Sequence, residues 1–327
     1  LRQAASLAPL LSDRHVESTT RGTRSILRRE AAGVVLGIAP WNAPVMLAVR
    51  CFAAPLICGN TVVVKGSEHC PLTHQLIVNA VNEAGMPAGV VNIVNNPPSL
   101  SHAVVADLIA HPAVRRINFT GSTRVGREVA MEAARHLKPC LLELSGKAPM
   151  IVLEDADLDA AVDAAIFGAF FNQGQICMST ERIVVVDAVA DAFTSRLLRR
   201  AGRLRAAGPS RDHSQVQGER PAELGRLISE AAVRRVGNLV ADAVAKGARM
   251  LVGGDAAGSV MQPVVLDRVS SNMAIFHEES FGPVASVMRV RDEEEALSIA
   301  NDTAFGLSAA IFSRDEKRAL ALAAKLE

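Results

Sequence analysis

A cysteine at the end of a predicted apolar helix is the residue in this sequence best suited to nucleophilic chemistry. Cys177 follows an apolar run and a Gly-containing polar turn in the stretch 170–179, FFNQGQICMS. Such a position exposes a thiol and directs backbone N–H groups at it, which favours the reactive thiolate. The alternative is a small buried hydrophobic residue, which describes most lone cysteines.

A glutamate between leucines is the candidate general base. Glu143 lies in the stretch 141–147, LLELSGK, at the predicted end of a strand. Burial among leucines makes a carboxylate a stronger base and suits it to take a proton from water. The alternative is a solvent-facing Glu143 that pairs with Lys147.

An asparagine between two prolines is the candidate oxyanion donor. The stretch 39–44, APWNAP, follows the first predicted strand, and its prolines make the loop rigid. The amide of Asn42 can then donate to a developing oxyanion. An ordinary turn asparagine explains the same spacing.

Two further strand ends suit a nucleotide. In the stretch 119–126, FTGSTRVG, a strand passes into a helix whose free N–H groups suit a pyrophosphate at Gly121 and Ser122. The glycines are five residues apart, so this is not the dinucleotide fingerprint, and an ordinary turn explains it equally well. Lys65 and Glu68 follow another strand and either bind ribose hydroxyls or form a solvated ion pair.

The elements that must position these residues alternate between β-branched runs and amphipathic segments. This alternation predicts an α/β fold with a mainly parallel sheet covered on both faces, and ligands bind such sheets at the carboxyl ends of the strands. The stretch before Arg29 is either an excursion or an edge hairpin, and 205–221 is predicted to be a polar loop. The predicted strands are 33–39, 61–65, 90–94, 116–120, 140–144, 150–153, 182–186, 249–252, 284–290 and 307–312, with another near Val264. The predicted helices are 71–84, 99–110, 122–137, 187–203 and 227–246, with another starting near Asp157.

Composition excludes several classes of protein. The 327 residues carry 35 Lys and Arg against 34 Asp and Glu, and this balance argues against a nucleic-acid partner. No apolar run approaches the roughly 18 residues that span a bilayer, and the N-terminus does not resemble a signal peptide. Five scattered cysteines without a CxxC pair predict reduced thiols, no metal site and a cytoplasmic location.

Several of these motifs together resemble the NAD(P)-dependent aldehyde dehydrogenase superfamily, in order over nearly the whole chain. The stretches 39–44 and 176–182 are most similar to its salicylaldehyde, vanillin and benzaldehyde dehydrogenase branch. The motifs are PWN at 40–42, FTGS at 119–122, LEL at 142–144, NQGQIC at 172–177 and ESFGP at 279–283.

The resemblance implies a mechanism for three residues. The thiolate of Cys177 attacks the aldehyde, and Asn42 with the Cys177 N–H forms the oxyanion hole. Hydride transfer to NAD leaves a thioester, which water activated by Glu143 hydrolyses to the carboxylic acid. The implied function is oxidation of an aldehyde, aromatic in this branch. The alternative is an inactive, truncated remnant that binds nucleotide or a partner subunit.

The resemblance also implies a cofactor site. The carboxylate of Glu68 beside the adenosine ribose would repel a 2′-phosphate, so we expect NAD rather than NADP. Arg50, in a helix that would line the substrate channel, is expected to recognise a polar substituent on an aromatic aldehyde, or else to be a surface or inter-subunit arginine. The implied cofactor residues are Trp41, Lys65, Glu68, Gly121, Ser122, Glu279 and Phe281.

Two positions depart from the family pattern. Ser145 replaces the first glycine of a pair after Glu143, so we expect it to restrict that side chain or to crowd the nicotinamide. Gly66 follows Lys65 where proline or another small residue is usual, and we expect added backbone freedom there.

The implied architecture is a doubly wound cofactor domain over 1–143 and a second α/β catalytic domain over 144–327. An oligomerisation excursion is expected near 13–31, and a homo-oligomer is expected for the full-length form. Because family members are considerably longer, we expect this chain to be a fragment that lacks segments at both ends.

Overall fold

The computed structural model describes residues 1–208 and 222–327 and divides into two compact units, Leu1–Leu144 and Ser145–Glu327. Most of the polar loop predicted over 205–221 lies outside the described residues. The two units are described separately.

The first unit contains a parallel five-stranded sheet and an antiparallel hairpin. Two short 3-10 helices, Ala8–Leu11 and Pro98–Leu100, accompany its regular elements. The strands are β1 (Arg14–Val16), β2 (Ser25–Leu27), β3 (Val34–Ile38), β4 (Thr61–Lys65), β5 (Val91–Val94), β6 (Val114–Thr120) and β7 (Cys140–Glu143). The helices are α1 (Arg2–Ser6), α2 (Pro44–Ile57), α3 (Pro71–Glu83), α4 (Ser101–Ala110) and α5 (Thr123–Arg135).

The strand order β5-β4-β3-β6-β7 makes the first sheet doubly wound. The chain leaves β3 toward β4 and β5, then returns to the other side of β3 through β6 and β7. Neighbouring residues of β3 enter opposite cores: Val35 packs with Phe52 of α2, whereas Leu36 packs with Val129 of α5. Helices therefore cover both faces, and the winding changes direction between β3 and β6.

Gly37 allows α2 to lie close to β3. A Cβ at this position would collide with the side chain of Cys51, which is 2% exposed. Burial raises the pKa of the Cys51 thiol to about 12, against a smaller opposing influence of Arg50, so Cys51 stays a neutral packing residue.

The second unit is a mixed α/β layer structure. Its described residues form a six-stranded sheet in the order β10-β13-β14-β9-β8-β15, in which only β10 is antiparallel to its neighbour, and a short hairpin β11-β12. A 3-10 helix, Phe171–Gly174, follows the first helix. The strands are β8 (Ala148–Val152), β9 (Thr180–Val186), β10 (Arg249–Val252), β11 (Ala256–Ala257), β12 (Val260–Met261), β13 (Val264–Asp267), β14 (Val284–Val290) and β15 (Ala310–Phe312). The helices are α6 (Leu158–Phe170), α7 (Asp187–Ala201), α8 (Glu230–Ala245), α9 (Ala274–His277), α10 (Glu293–Asn301) and α11 (Glu316–Ala323).

The central strands of this sheet, β8, β9, β13 and β14, are buried on both faces. Met150 and Ile183 pack with Phe193 of α7, whereas Ile151 packs with Val236 of α8. Continuous apolar strands are what such burial requires, which is why the sequence identifies them.

The predicted α/β class is confirmed. Among the described residues, the stretch before Arg29, expected to be either an excursion or an edge hairpin, pairs only with itself and does not join the five-stranded sheet. The stretch forms the antiparallel hairpin β1-β2, and every residue of both strands is exposed. Helices α9 and α10 were not predicted, because one is a single turn and the other begins with three glutamates instead of an apolar stripe.

Candidate functional site

Two loops meet the requirements of a ligand crevice in the first unit. Trp41 and Asn42 follow β3, and Gly121 and Ser122 follow β6, the two strands where the winding changes direction. Ligands of open α/β sheets bind outside the carboxyl ends of such strands.

The turn after β6 is built to leave the start of α5 accessible. The Ser122 hydroxyl accepts a hydrogen bond from the Val125 N–H at 3.4 Å and caps the helix. A Cβ at residue 121 would lie 2.6 Å from the Phe119 ring, so only glycine fits. This helix N-terminus is a suitable place for a phosphate group.

Lys65 and Glu68 form a largely buried ion pair instead of a solvated one. Their side chains are 5% and 17% exposed, and Lys65 also donates to the Ser101 hydroxyl at 3.0 Å. Burial by itself would raise the Glu68 pKa, but hydrogen bonds from Lys65 and Ser101 outweigh it and lower the pKa to about 2. Glu68 is therefore a fixed anion at neutral pH. Ser101 was missed because nothing near it in sequence marks it as a partner of Glu68.

The loop that carries Glu68 is fixed by a buried histidine. The Ser67 N–H donates to Nδ1 of His74 at 3.0 Å, and burial lowers the pKa of His74, which keeps the ring neutral. Gly66 allows this loop to lie close to Asn95, because a Cβ there would collide with the Asn95 amide oxygen.

Glu143 ends β7 with its side chain 28% exposed and pairs with Arg50 of α2. Nη2 of Arg50 donates to Oε1 of Glu143 at 2.9 Å, and the Arg50 side chain is half exposed. The alternative pairing of Glu143 with Lys147 is wrong, because Lys147 is buried against Glu181.

Cys177 follows a tightly constrained turn in the second unit. Asn172 and Gln173 adopt left-handed backbone angles (φ 49° and 58°), so the chain reverses sharply after α6. A Cβ at Gly146 would collide with the carbonyl oxygen of Cys177, so the two segments lie in direct contact. Cys177 itself is half-buried. Strain at a rigid turn is typical of functional positions.

Two exposed aromatic rings lie near this turn, Phe167 on α6 and Phe171 at the start of the 3-10 helix that follows. Phe167 and Phe171 are 65% and 56% exposed, and their ring centroids are 5.0 Å apart. Exposed phenylalanine rings that lie next to one another favour an aromatic ligand. Sequence analysis missed Phe167; its spacing of four from Phe171 was the available signal.

Glu279 is held in place within the second unit. Its Oε1 accepts from the Gly146 N–H at 3.0 Å, and the Ser145 hydroxyl also hydrogen-bonds its carboxylate. Burial raises the Glu279 pKa, with an added contribution from Glu181. Ser145, the departure from the family pattern, therefore contributes a hydrogen bond to a predicted cofactor residue.

The described residues also bear on metal binding and on membrane insertion. In the part of the chain that the structure describes, no three or more His, Cys, Asp or Glu side chains cluster as a metal site would require. Among the same residues, no helix has the length and apolar character needed to cross a membrane.

Doubly wound and mixed α/β sheets, with a cysteine at a strained turn in the second unit, define a two-unit α/β protein with a candidate nucleophile. The sequence profile of the aldehyde dehydrogenase family matches residues 1–327. The chain belongs to the aldehyde dehydrogenase family.

Three relatives show which aldehyde dehydrogenases this chain is similar to. A vanillin dehydrogenase from Pseudomonas sp. (strain HR199) is 55% identical over 327 residues, which cover 100% of this chain and 66% of the relative. A crystal structure of a salicylaldehyde dehydrogenase from Pseudomonas putida G7, complexed with salicylaldehyde, superposes with a TM-score of 0.93 at 48% identity and covers 100% of this chain and 66% of that one. An NADP(+) succinate-semialdehyde dehydrogenase from Deinococcus radiodurans is 44% identical over 299 residues, 90% of this chain and 60% of the relative. The chain thus spans slightly less than two thirds of the length of these relatives.

Proposed function

We propose that this protein oxidises an aromatic aldehyde to its carboxylic acid and reduces NAD, with Cys177 as the nucleophile. The observation that carries the proposal is the strained 172–174 turn, which lies between Cys177 and the exposed, neighbouring rings of Phe167 and Phe171. The vanillin and salicylaldehyde dehydrogenases among its relatives support the substrate class.

The chemistry assigned to the chain's own residues is covalent. The Cys177 thiolate adds to the aldehyde carbon, and the Asn42 amide with the Cys177 N–H stabilises the oxyanion. The resulting thiohemiacetal becomes a thioester when its carbon loses a hydride. Glu143 then takes a proton from the water that hydrolyses the thioester, which releases the carboxylic acid and restores the Cys177 thiolate. The partial exposure of Glu143 and its half-exposed partner Arg50 support this role, because a base that acts on water must be accessible to it.

The residues present fit a dinucleotide. The first unit offers a capped helix N-terminus at Gly121 and Ser122 for the pyrophosphate and the anchored Glu68 with Lys65 for the adenosine ribose. The other assigned cofactor residues are Trp41, Glu279 and Phe281. When bound, NAD supplies the acceptor for the aldehyde's hydride. Most of the assigned cofactor residues lie in 1–143, the proposed cofactor domain, and the nucleophile lies in 144–327, the proposed catalytic domain.

The fixed charge of Glu68 favours NAD over NADP. Lys65 and Ser101 hold its carboxylate ionised and in place, so a 2′-phosphate would meet a negative charge. Glu68→Gln should raise the kcat/KM ratio of NADP to NAD by about tenfold, the equivalent of 1.4 kcal/mol. A wild-type preference for NADP would contradict the assignment.

Arg50 is assigned to substrate recognition. Its half-exposed guanidinium has donors beyond the one used by Glu143, and these suit a phenolic oxygen ortho to the aldehyde. Arg50→Ala should therefore lower kcat/KM for salicylaldehyde more than for benzaldehyde. Equal losses for both aldehydes would contradict this role.

A second copy of the chain is the proposed partner of the exposed hairpin β1-β2. Val16, Ile26 and Leu27 on the hairpin are 48–59% exposed, which suits an apolar contact between subunits of the full-length protein. Light scattering of the wild type and Ile26→Lys tests this assignment, with a smaller assembly expected for the variant. An unchanged mass would contradict it.

The main experiment is NADH formation from NAD and benzaldehyde, followed by the absorbance of the reduced nicotinamide. Cys177→Ala should abolish it, whereas Cys58→Ala, which removes an exposed thiol elsewhere, should leave it unchanged. NADH production that survives in Cys177→Ala would overturn the proposal. Nucleotide binding without turnover in a full-length form would favour an inactive remnant.

A further inference from the structure

Glu181 binds two backbone amides of residues 279–281, here called the 279–281 loop. The Ser280 N–H donates to both oxygens of Glu181, at 3.0 and 2.9 Å, and the Phe281 N–H donates to Oε1 at 3.0 Å. Glu181 belongs to β9, so these bonds join the loop to the central sheet of the second unit.

A guanidinium binds the carbonyl groups of the same loop. Arg235 of α8 donates to the Glu279 carbonyl at 2.8 Å and to the Ser280 carbonyl at 2.6 Å. The main chain of the loop is therefore held through its N–H groups by an anion and through its C=O groups by a cation. Charge-assisted hydrogen bonds of this kind are stronger than neutral ones.

Lys147 compensates the charge of Glu181. Its Nζ donates to Oε2 of Glu181 at 2.7 Å, and the two side chains are 0% and 4% exposed. The neighbouring Arg182 is committed elsewhere, because its guanidinium donates to the carbonyls of Ile299, Ala300 and Asp302. Glu181 thus stays buried and satisfied by one ammonium group and two backbone amides.

The held conformation is one that the loop would not adopt easily by itself. Phe281 has φ 46°, a left-handed angle that is costly for a residue with a Cβ. Such a conformation persists only where the surroundings fix it, and the bond from Phe281 N–H to Glu181 does so. The side chain of Glu279 is fixed as well, by the Gly146 N–H.

We infer that Glu181 and Arg235 are positioning residues that hold the 279–281 loop so that Glu279 binds the nicotinamide ribose. The inference rests on the proposed function, in which Glu279 binds that ribose. Because the loop is already ordered before the cofactor binds, the free energy of binding does not include the entropic cost of ordering it. Loss of either anchor should weaken contacts to the nicotinamide ribose and leave the adenosine half unaffected.

The test compares two neighbouring arginines on the surface of α8. Arg235→Met removes both bonds to loop carbonyls, whereas Arg234→Met removes only a long, exposed contact with Glu230 at 3.7 Å. Calorimetric titration of each full 327-residue variant measures the Kd of NADH and of ADP, which lacks the nicotinamide ribose. Arg235→Met should bind NADH about tenfold more weakly, or 1.4 kcal/mol, and bind ADP like the wild type. Arg234→Met should match the wild type for both ligands.

Glu279→Gln separates this inference from the function on which it rests. If Glu279→Gln weakens NADH binding and Arg235→Met does not, the positioning role is wrong and the role of Glu279 stands. If Glu279→Gln binds NADH like the wild type, the ribose role of Glu279 is wrong and the inference fails with it. Equal weakening of NADH and ADP by Arg235→Met would also overturn the inference, since it would show a general structural defect.

Hydrogen exchange gives a readout that does not depend on cofactor binding. The Ser280 and Phe281 amides should exchange faster in Arg235→Met and in Glu181→Gln than in the wild type, and Arg234→Met should leave them unchanged. Unchanged exchange in both anchor variants would contradict the positioning role.

Discussion

Glu143 in the first unit and Glu181 in the second are both paired with a cation, yet their surroundings differ. The Glu143–Arg50 pair is 28% and 50% exposed at its two side chains, whereas the Glu181–Lys147 pair is 4% and 0% exposed. Glu181 also accepts two backbone amides of the 279–281 loop. The contrast separates two uses of a carboxylate: the partly exposed Glu143, with one cationic partner, is accessible to water, and we propose that it moves to act on it, whereas the buried Glu181 fixes the main chain around it.

The largest expected effect concerns the movable carboxylate. Glu143→Gln removes the proposed base, so thioester hydrolysis should slow by about 10²- to 10⁴-fold while acylation proceeds. Rapid-mixing absorbance should then show a fast burst of one NADH per active site followed by slow turnover. Steady-state turnover equal to that of the wild type would show that Glu143 is not the base. The comparison of Glu143 with Glu181 as two uses of a carboxylate would then fail.

The buried carboxylate should govern stability. Lys147→Met leaves Glu181 as an uncompensated buried charge and should lower the free energy of unfolding by about 3–5 kcal/mol. Urea denaturation measures the loss. The matched control is Lys246→Met, whose pair with Asp242 has the same 2.7 Å separation but is 40% and 30% exposed, and it should cost about 1 kcal/mol or less. Equal losses in the two variants would show that burial does not distinguish these pairs.

A third carboxylate, Glu68, allows a pH test. Its pKa is lowered from 4.5 to about 2, so its bonds to Lys65 and Ser101 stabilise the folded state fully above pH 4.5 and lose that effect as the pH falls toward 2. Glu68→Gln should therefore destabilise the protein on the order of 1 kcal/mol at pH 7 and less at pH 3. Urea denaturation at both pH values measures the difference. A larger destabilisation by Glu68→Gln at pH 3 than at pH 7 would contradict the lowered pKa of Glu68.

The smallest effect is expected for the partner of the movable carboxylate. Arg50→Met should change the free energy of unfolding by no more than about 1 kcal/mol, because the pair is exposed and screened by solvent. The exposed pair Arg124–Glu128 provides the control variant Arg124→Met, with a similar small loss expected. A loss as large as that of Lys147→Met would show that the Arg50–Glu143 pair is structural, which would end the contrast.

Local patterns predicted the fold because its central strands are buried on both faces. Thr61–Lys65 and Val284–Val290 occur at their predicted bounds, since they are largely buried runs rich in valine. The edge strand Arg249–Val252 also occurs at its predicted bounds, although its first two residues are exposed. The exposed hairpin could not be decided, because its strands are three residues long and every residue in them is exposed, so no buried alternation marks them.

Pairings between distant residues could not be predicted from the sequence. Arg50 and Glu143 are 93 residues apart, and Lys147 and Glu181 are 34 apart. The sequence places Lys147 near Glu143, but successive side chains in an extended segment point in different directions and find different partners. Chemical type and strand-end position identified candidate residues; which carboxylate stays movable depends on burial that only the fold determines.

The most direct test of the central claim is the mass of the enzyme after reaction. Glu143→Gln incubated with NAD and benzaldehyde should carry one benzoyl group, and peptide mapping should place it on Cys177. The double variant Cys177→Ala/Glu143→Gln should carry none. A benzoyl group on another cysteine, or none on Glu143→Gln, would contradict an aldehyde oxidation that proceeds through Cys177 and is completed by Glu143.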